Sequence, residues 1–173
     1  MTIRRLTKND LPDAALIEQA CFSQPWSIDA LNREFDIGCV FFGAFMTTPS
    51  ASPSPLPGGE ASQQLNSNCQ SSIVNCQLCG YVSLRVAAGE GTIGNLAVLP
   101  EYRRQGLGKA LCAALFEYAQ ENSLAFLTLE VRQSNTAAQK LYAEAGLAFT
   151  GVRPGFYTLP DEDAVILTKD FCI

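Results

Sequence analysis

The sequence predicts an α/β (α+β) fold, a mixed central β-sheet flanked by about four helices. Three observations carry this. Apolar periodicity gives the element order β-α-α-β-β-β-α-β-α-β-β. Residues 95–111 pass from an apolar strand ending at Pro100, through a turn with two arginines and two glycines, into an amphipathic helix. That order presents backbone N–H groups to a phosphate. The chain has 173 residues, 47% apolar and 17% charged, which suits one domain (1–173) with a sizeable core.

Residues 3–6 read as a short first strand. Asp10 is placed as the cap of a helix with Pro12 in its first turn, and Leu11, Ala14, Ala15, Leu16, Ala20 and Cys21 form its apolar face. Residues 22–27 break that helix, and Ser27 caps a second one running to about Phe35. Trp26, the sole tryptophan, falls in the connecting loop. It either wedges into the core edge or forms a wall of a substrate cleft. Residues 40–46 read as a buried strand.

From 47 to 77 the chain is rich in Ser, Pro, Gly, Asn and Gln, with Glu60 as its only charge. Such a segment buries too little apolar area to offset its ordering entropy, so it reads as a flexible insertion in a strand–strand connection. Cys69, Cys76 and Cys79 lie at its end; a zinc or redox role lacks a fourth ligand, and Cys79 fits the next strand, 78–86. Gly89-Glu90-Gly91 reads as a hairpin turn into 92–99, where alternation is poor and Gly94 marks a bulge or a close approach.

Leu107, Leu111, Ala114, Leu115 and Tyr118 keep helical spacing to about Asn122. Residues 126–131 follow as a strand, with Phe126, Thr128 and Glu130 on one face and Leu127, Leu129 and Val131 on the other. Ser134 or Asn135 caps a helix ending near Gly146, with Ala138, Leu141, Tyr142 and Ala145 on its apolar side. Two last strands, 148–152 and 164–167, flank a loop carrying Phe156, Tyr157 and the triplet Asp161-Glu162-Asp163.

Composition narrows the chemistry. The net charge of -5 and the pI near 4.7 disfavour a nucleic-acid binder. No apolar run approaches a membrane span and no targeting signal is read, so a cytoplasmic, monomeric protein is expected. Seven cysteines, an odd number in scattered positions, fit a reducing compartment. There is no histidine, which excludes every imidazole-dependent mechanism and leaves proton transfer to carboxylate, Tyr, Lys or Cys.

Three phosphate-loop patterns compete for residues 103–110. A Walker A loop fails because Arg103 stands at its first glycine and Ala110 at its Ser/Thr. A dinucleotide fingerprint fails because Leu111 stands at its third glycine. What remains is Arg/Gln-x-x-Gly-x-Gly/Ala, met by Arg103, Gly106 and Gly108, with Arg104 and Lys109 adding positive charge.

The hexad Arg103-Arg104-Gln105-Gly106-Leu107-Gly108 resembles motif A of the GNAT N-acetyltransferase superfamily. Residues 129–142, reading LEVRQSNTAAQKLY, look like its next block in the form found in ribosomal-protein alanine N-acetyltransferases. Pro25-Trp26-Ser27 and Gly155-Phe156-Tyr157 match weaker flanking motifs. The resemblance spans nearly the whole chain except 47–77. It implies a GNAT fold in which coenzyme A enters between two splayed parallel strands. It further implies that Leu96, Ala97 and Val98 pair with the pantetheine arm, that Arg103, Arg104, Gln105, Gly106, Leu107, Gly108 and Lys109 cradle the pyrophosphate, and that Asn135 hydrogen-bonds acetyl-CoA, with no metal.

It also assigns Glu130 as general base, through water, and Tyr142 as general acid near the sulfur. A carboxylate on a buried strand would have a raised pKa, which suits that role. Trp26, Phe156 and Tyr157 would line the acceptor site. The implied acceptor is the N-terminal Ala of a ribosomal protein, drawn by the acidic triplet. An α-amine needs roughly 3 kcal/mol less than Lys to deprotonate. Phe156 departs from the family's first Tyr of a pair, and Leu147 from its usual Phe. Acetylation of a small amine or a lysine, and a non-catalytic acyl-CoA-binding module, stay open as alternatives.

Overall fold

The computed structural model describes residues 1–47 and 76–171. The element order follows the periodicity: β1 (Thr2–Arg5), α1 (Leu11–Cys21), α2 (Ile28–Asp36), β2 (Val40–Thr47), β3 (Cys76–Ala87), β4 (Glu90–Val98), α3 (Leu107–Glu121), β5 (Phe126–Arg132), α4 (Thr136–Ala145), β6 (Ala148–Thr158) and β7 (Asp161–Asp170). The strands form one sheet in the order β1-β2-β3-β4-β5-β7-β6. Every neighbouring pair is antiparallel except β4 and β5. This mixed sheet with four α-helices is the predicted GNAT architecture.

Helices cover both faces. α1 and α2 pack over Phe41, Phe45, Leu78, Tyr81 and Ala97. α3 lays Leu111, Cys112, Leu115 and Ala119 over Val40, Val82, Leu84, Ile93, Leu127 and Leu129. Leu147 is buried in this second layer, in keeping with a core substitution.

Gly94 is where the irregular strand acquires its shape. The β3–β4 register runs from Val82↔Leu96 to Leu84↔Ile93, so β4 carries one extra residue there. A Cβ on Gly94 would sit 2.6 Å from Ser83 Oγ, and the same hydroxyl accepts the Asn95 N–H at 3.0 Å. The bulge inverts the side-chain alternation. Ile93 faces the α3 layer whereas Ala97, four residues on, faces the α1 layer. The poor alternation in the sequence is this inversion.

Several expectations are corrected. Asp10 is the N-cap residue of α1, but its side chain makes no capping bond to that helix. Its carboxylate accepts the Thr7 N–H at 2.8 Å and pairs with Arg4 at 2.7 Å, closing a short 3-10 turn over Lys8–Asp10. The buried face of α1 is Leu11, Ala14, Ala15, Ile17 and Glu18, with Leu16 and Ala20 in solvent. The hairpin turn uses Ala88 (φ 52) and Gly89 (φ 80), and Glu90 already belongs to β4. Thr47, Cys76 and Gln77, expected in the insertion, pair across the β2–β3 ladder. The rest of the expected insertion lies outside the described residues, as does Cys69. Cys79 is buried within β3. No helix among the described residues is long and apolar enough to cross a membrane.

The expected loop with Phe156, Tyr157 and the acidic triplet is a strand hairpin. Phe156 and Tyr157 lie in β6 and residues 161–163 in β7, with a bulge between Arg153 and Tyr157. Gly155 turns this bulge at φ 59, and its N–H donates to Asp163 Oδ1 at 2.8 Å. Polar residues hid the strand because β6, at the sheet edge, is solvent-exposed along most of its length.

Hydrogen bonds from Arg4, then from Thr7, hold the Asp10 carboxyl well below the usual carboxylate range. A depressed folded-state value stabilises above the unfolded value, near 4, and that contribution fades as pH falls through the folded one. Arg4 is 44% exposed, so solvent screens the pair. Asp10→Asn is expected to lower stability by ~1 kcal/mol at pH 7, with the gap shrinking below about pH 4, in denaturant titrations across that range.

Candidate active site

The sheet parts at its only parallel contact. β4 and β5 pair at Gly91↔Leu127 and Thr92↔Thr128 and nowhere beyond. β4 continues to Val98 against β3, and β5 continues to Arg132 against β7. Two strand edges, residues 93–98 and 129–132, therefore flank a cleft with unpaired backbone groups. Leu96, Ala97 and Val98 lie on the first edge. The Val98 carbonyl accepts Arg103 Nε at 3.0 Å and Cys21 Sγ at 3.4 Å. The Arg103 side chain thus folds back onto β4, instead of reaching out from the turn as a phosphate ligand would.

The turn into α3 places Arg104 (φ 63) and Gly106 (φ 84) in the left-handed region. The first helical bond runs from the Ala110 N–H to the Gly106 carbonyl at 3.0 Å. No side chain caps the helix. The N–H groups of Leu107, Gly108 and Lys109 have no acceptor among the described residues, so a row of donors and the positive helix end face outward together. Gln105 Nε2 bonds the Glu101 carbonyl at 3.1 Å and braces the turn. Among the described residues Arg104 and Lys109 make no ion pair. Gly108 lets α4 come close, since a Cβ there would lie 2.9 Å from Leu141 Cδ2.

Across the cleft, Glu130 is on β5 but not buried. Its side chain is 27% exposed and pairs with Arg153 at 3.3 Å, so the expected burial is not found. The alternation was read correctly, but Arg153 of β6 reaches across β7 to the carboxylate, which stays partly in solvent. Arg153 also stacks on Phe156 at 4.5 Å. The Tyr157 hydroxyl donates to the Glu130 carbonyl at 3.2 Å, and burial, foremost, raises its pKa. Arg132 lies 4.1 Å over the Tyr157 ring and bonds the Leu159 carbonyl at 2.9 Å and Glu162 at 3.2 Å. Glu162 also accepts the Ser134 N–H, the first cause of its lowered pKa. Two of the three expected attracting carboxylates, Glu162 and Asp163, are thus engaged inside the hairpin.

Asn135 is the N-cap of α4. Its Oδ1 accepts the Ala138 N–H at 3.1 Å, which leaves Nδ2 for any ligand. Tyr142, about two helical turns further along, is buried. Burial foremost, then the neighbouring Cys112 and Tyr157, raise its pKa, so its hydroxyl keeps its proton at neutral pH. Cys112 itself is pushed up to about 12 by burial.

Trp26 sits at the rim of the α1 layer, half-buried, and its backbone N–H donates to Glu18 Oε2 at 2.7 Å. Glu18 is completely buried and was missed in the sequence reading. A signal existed: Leu11, Ala14, Ala15 and Glu18 keep helical spacing, so the carboxylate lies on the apolar stripe. Arg132 stands in the quoted 129–142 block but was given no role, and Arg153 was missed for want of any local pattern. Among the described residues no group of three His, Cys, Asp or Glu could hold a metal ion.

Comparison with known proteins matches residues 56–147 to the acetyltransferase (GNAT) family. The [ribosomal protein bS18]-alanine N-acetyltransferase of Escherichia coli (strain K12) is 31% identical over 168 residues, covering 96% of this chain and 95% of that one. A putative [ribosomal protein bS18]-alanine N-acetyltransferase of Bacillus subtilis (strain 168) is 28% identical over 165 residues, covering 95% and 92%. The crystal structure of the ribosomal-protein-S18-alanine N-acetyltransferase from Escherichia coli superposes with a TM-score of 0.74 at 29% identity, covering 99% of this chain and 94% of that one.

Gly106→Ala forces a side chain into the left-handed region where the α3 donors are set. It is expected to reduce stability by roughly 1 kcal/mol, read as a lower midpoint of thermal unfolding.

Proposed function

This chain belongs to the GNAT acetyltransferase family and is an acetyl-CoA-dependent N-acetyltransferase, and we propose that its acceptor is the N-terminal α-amine, borne by Ala, of a ribosomal protein. The observation that carries the acceptor is the near-full-length likeness to enzymes named for that substrate. The cleft supports the same reading. The unpaired β4 edge at Leu96, Ala97 and Val98 fits an extended amide-bearing arm, and the open N–H groups of Leu107, Gly108 and Lys109, with Arg104 and Lys109, fit its pyrophosphate. Gln105 and Arg103 shape the turn and strand end, Gly106 turns the backbone, and Asn135 offers its amide N–H.

Acetyl-CoA supplies an acyl group activated as a thioester. The protein supplies the proton path. Glu130, at the cleft's β5 edge, takes the proton of the incoming amine through water. Its partner Arg153 holds the carboxylate at that edge. Tyr142, buried and protonated, gives its proton to the departing sulfur. A backbone N–H near Val98 polarises the carbonyl under attack. Trp26, Phe156 and Tyr157 bound the acceptor side. One pair of observations favours the runner-up acceptors, a small amine or a lysine. Phe156 lacks a hydroxyl for a peptide backbone, and Glu162 and Asp163 are engaged within the hairpin.

With acetyl-CoA saturating, Glu130→Gln and Tyr142→Phe are each expected to lower turnover by about 10²-fold while acetyl-CoA still binds. Wild-type rates in both variants would overturn the assignment. A peptide array with free and blocked N-termini is expected to show acetylation of free α-amines only. Modification of internal lysines or of small amines alone would replace the proposed acceptor.

A further inference from the structure

Glu18 is a fully buried carboxylate that makes no ion pair among the described residues. Burying a charge is unfavourable unless hydrogen bonds replace its water. Here three neutral donors do so. Oε1 accepts the Tyr81 hydroxyl and Asn95 Nδ2 at 2.8 Å, and Oε2 accepts the Trp26 backbone N–H at 2.7 Å. Burial, then the Glu18 charge, raise the Tyr81 pKa, so that hydroxyl is a permanent donor.

The three donors come from different places. Trp26 lies in the loop between α1 and α2, Tyr81 in β3, and Asn95 in the β4 bulge. A leucine or methionine would fill the same space without burying a charge. What the carboxylate adds is fixed geometry between three elements, the attested use of a fully satisfied buried network. Two of those elements form walls of the cleft. Asn95 begins the stretch of β4 that has left β5, and Trp26 stands on the acceptor side.

We propose that Glu18 is a positioning residue for acetyl transfer, holding the Trp26 loop and the Asn95 bulge as one unit so that acceptor wall and thioester wall keep a constant separation. The proposal rests on the reading of Trp26 as an acceptor wall. Glu18→Gln keeps the volume but sets an amide N–H against one of the three donors. Asn95→Ala removes one donor and leaves the Trp26 bond in place.

Because Trp26 is the sole tryptophan, its emission reports the loop directly. With the full-length protein, an alanine-initiated acceptor peptide and acetyl-CoA, Glu18→Gln is expected to shift Trp26 emission to the red. It should also raise the peptide KM about tenfold and lower kcat, with the acetyl-CoA KM within about twofold of wild type. Asn95→Ala is expected to lower kcat with emission and peptide KM unchanged.

Wild-type emission and peptide KM in Glu18→Gln would overturn the proposal. So would equal loss of every parameter in both variants together with loss of cooperative melting, which marks a purely structural role. A wild type that acetylates no peptide overturns the acceptor reading instead. The emission comparison needs no acceptor and then decides the role of Glu18 by itself.

Discussion

Two residue pairs hold the sheet together at its centre. Among the described residues, Gly91↔Leu127 and Thr92↔Thr128 are the only ladder pairs between the four-stranded half, β1 to β4, and the three-stranded half, β5 to β7, while the α3 layer packs across both. Past them the strands part, and the site exists because they do. A fully paired β4–β5 ladder would satisfy its backbone groups internally and leave no edge for an extended ligand. The Gly94 bulge assists by turning the last part of β4 over, which places Ala97 on one layer and Leu96 and Val98 on the other.

Each wall of the parted region is braced by directional hydrogen bonds in addition to apolar packing. On the β4 side, Arg103 and Cys21 hold the Val98 carbonyl, and Glu18 holds the bulge and the Trp26 loop. On the β5 side, Arg132 gathers Tyr157, Leu159 and Glu162, so the β6–β7 hairpin is locked to the strand carrying Glu130. Apolar packing is non-directional, whereas such bonds fix angles and distances. A cleft that must align an amine with a thioester needs the latter.

The strand and helix order, the bulge and the turn into α3 were legible because each has a local signature: period, an interrupting glycine, two glycines after two arginines. Boundaries failed where tertiary contacts overrode local preference. Asp10 stands at a helix cap, but Arg4, arriving from β1, recruits its carboxylate into the preceding turn. Phe156 and Tyr157 resemble loop residues because their strand is a sheet edge with little apolar cover. In the site, the α3 turn and Tyr142 stand where motif spacing placed them. The exposure of Glu130, the inward fold of Arg103 and the Arg132 bonds depend on long-range partners, which no window of sequence contains. Glu18 alone was within reach, as a carboxylate in an apolar stripe.

The narrow β4–β5 joint also bears on what a bound ligand does to stability. Within each half, strands are neighbours through antiparallel ladders, and most join strands close in sequence. The joint between the halves is parallel, needs the whole of α3 as its crossover, and has the fewest backbone bonds to lose. In backbone bonding it is the narrowest joint of the sheet, and the α3 layer, packed on both halves, supplies the rest of their contact. A ligand laid along the parted edges adds bonds to β4 and β5 together, so its binding stabilises the joint by mass action.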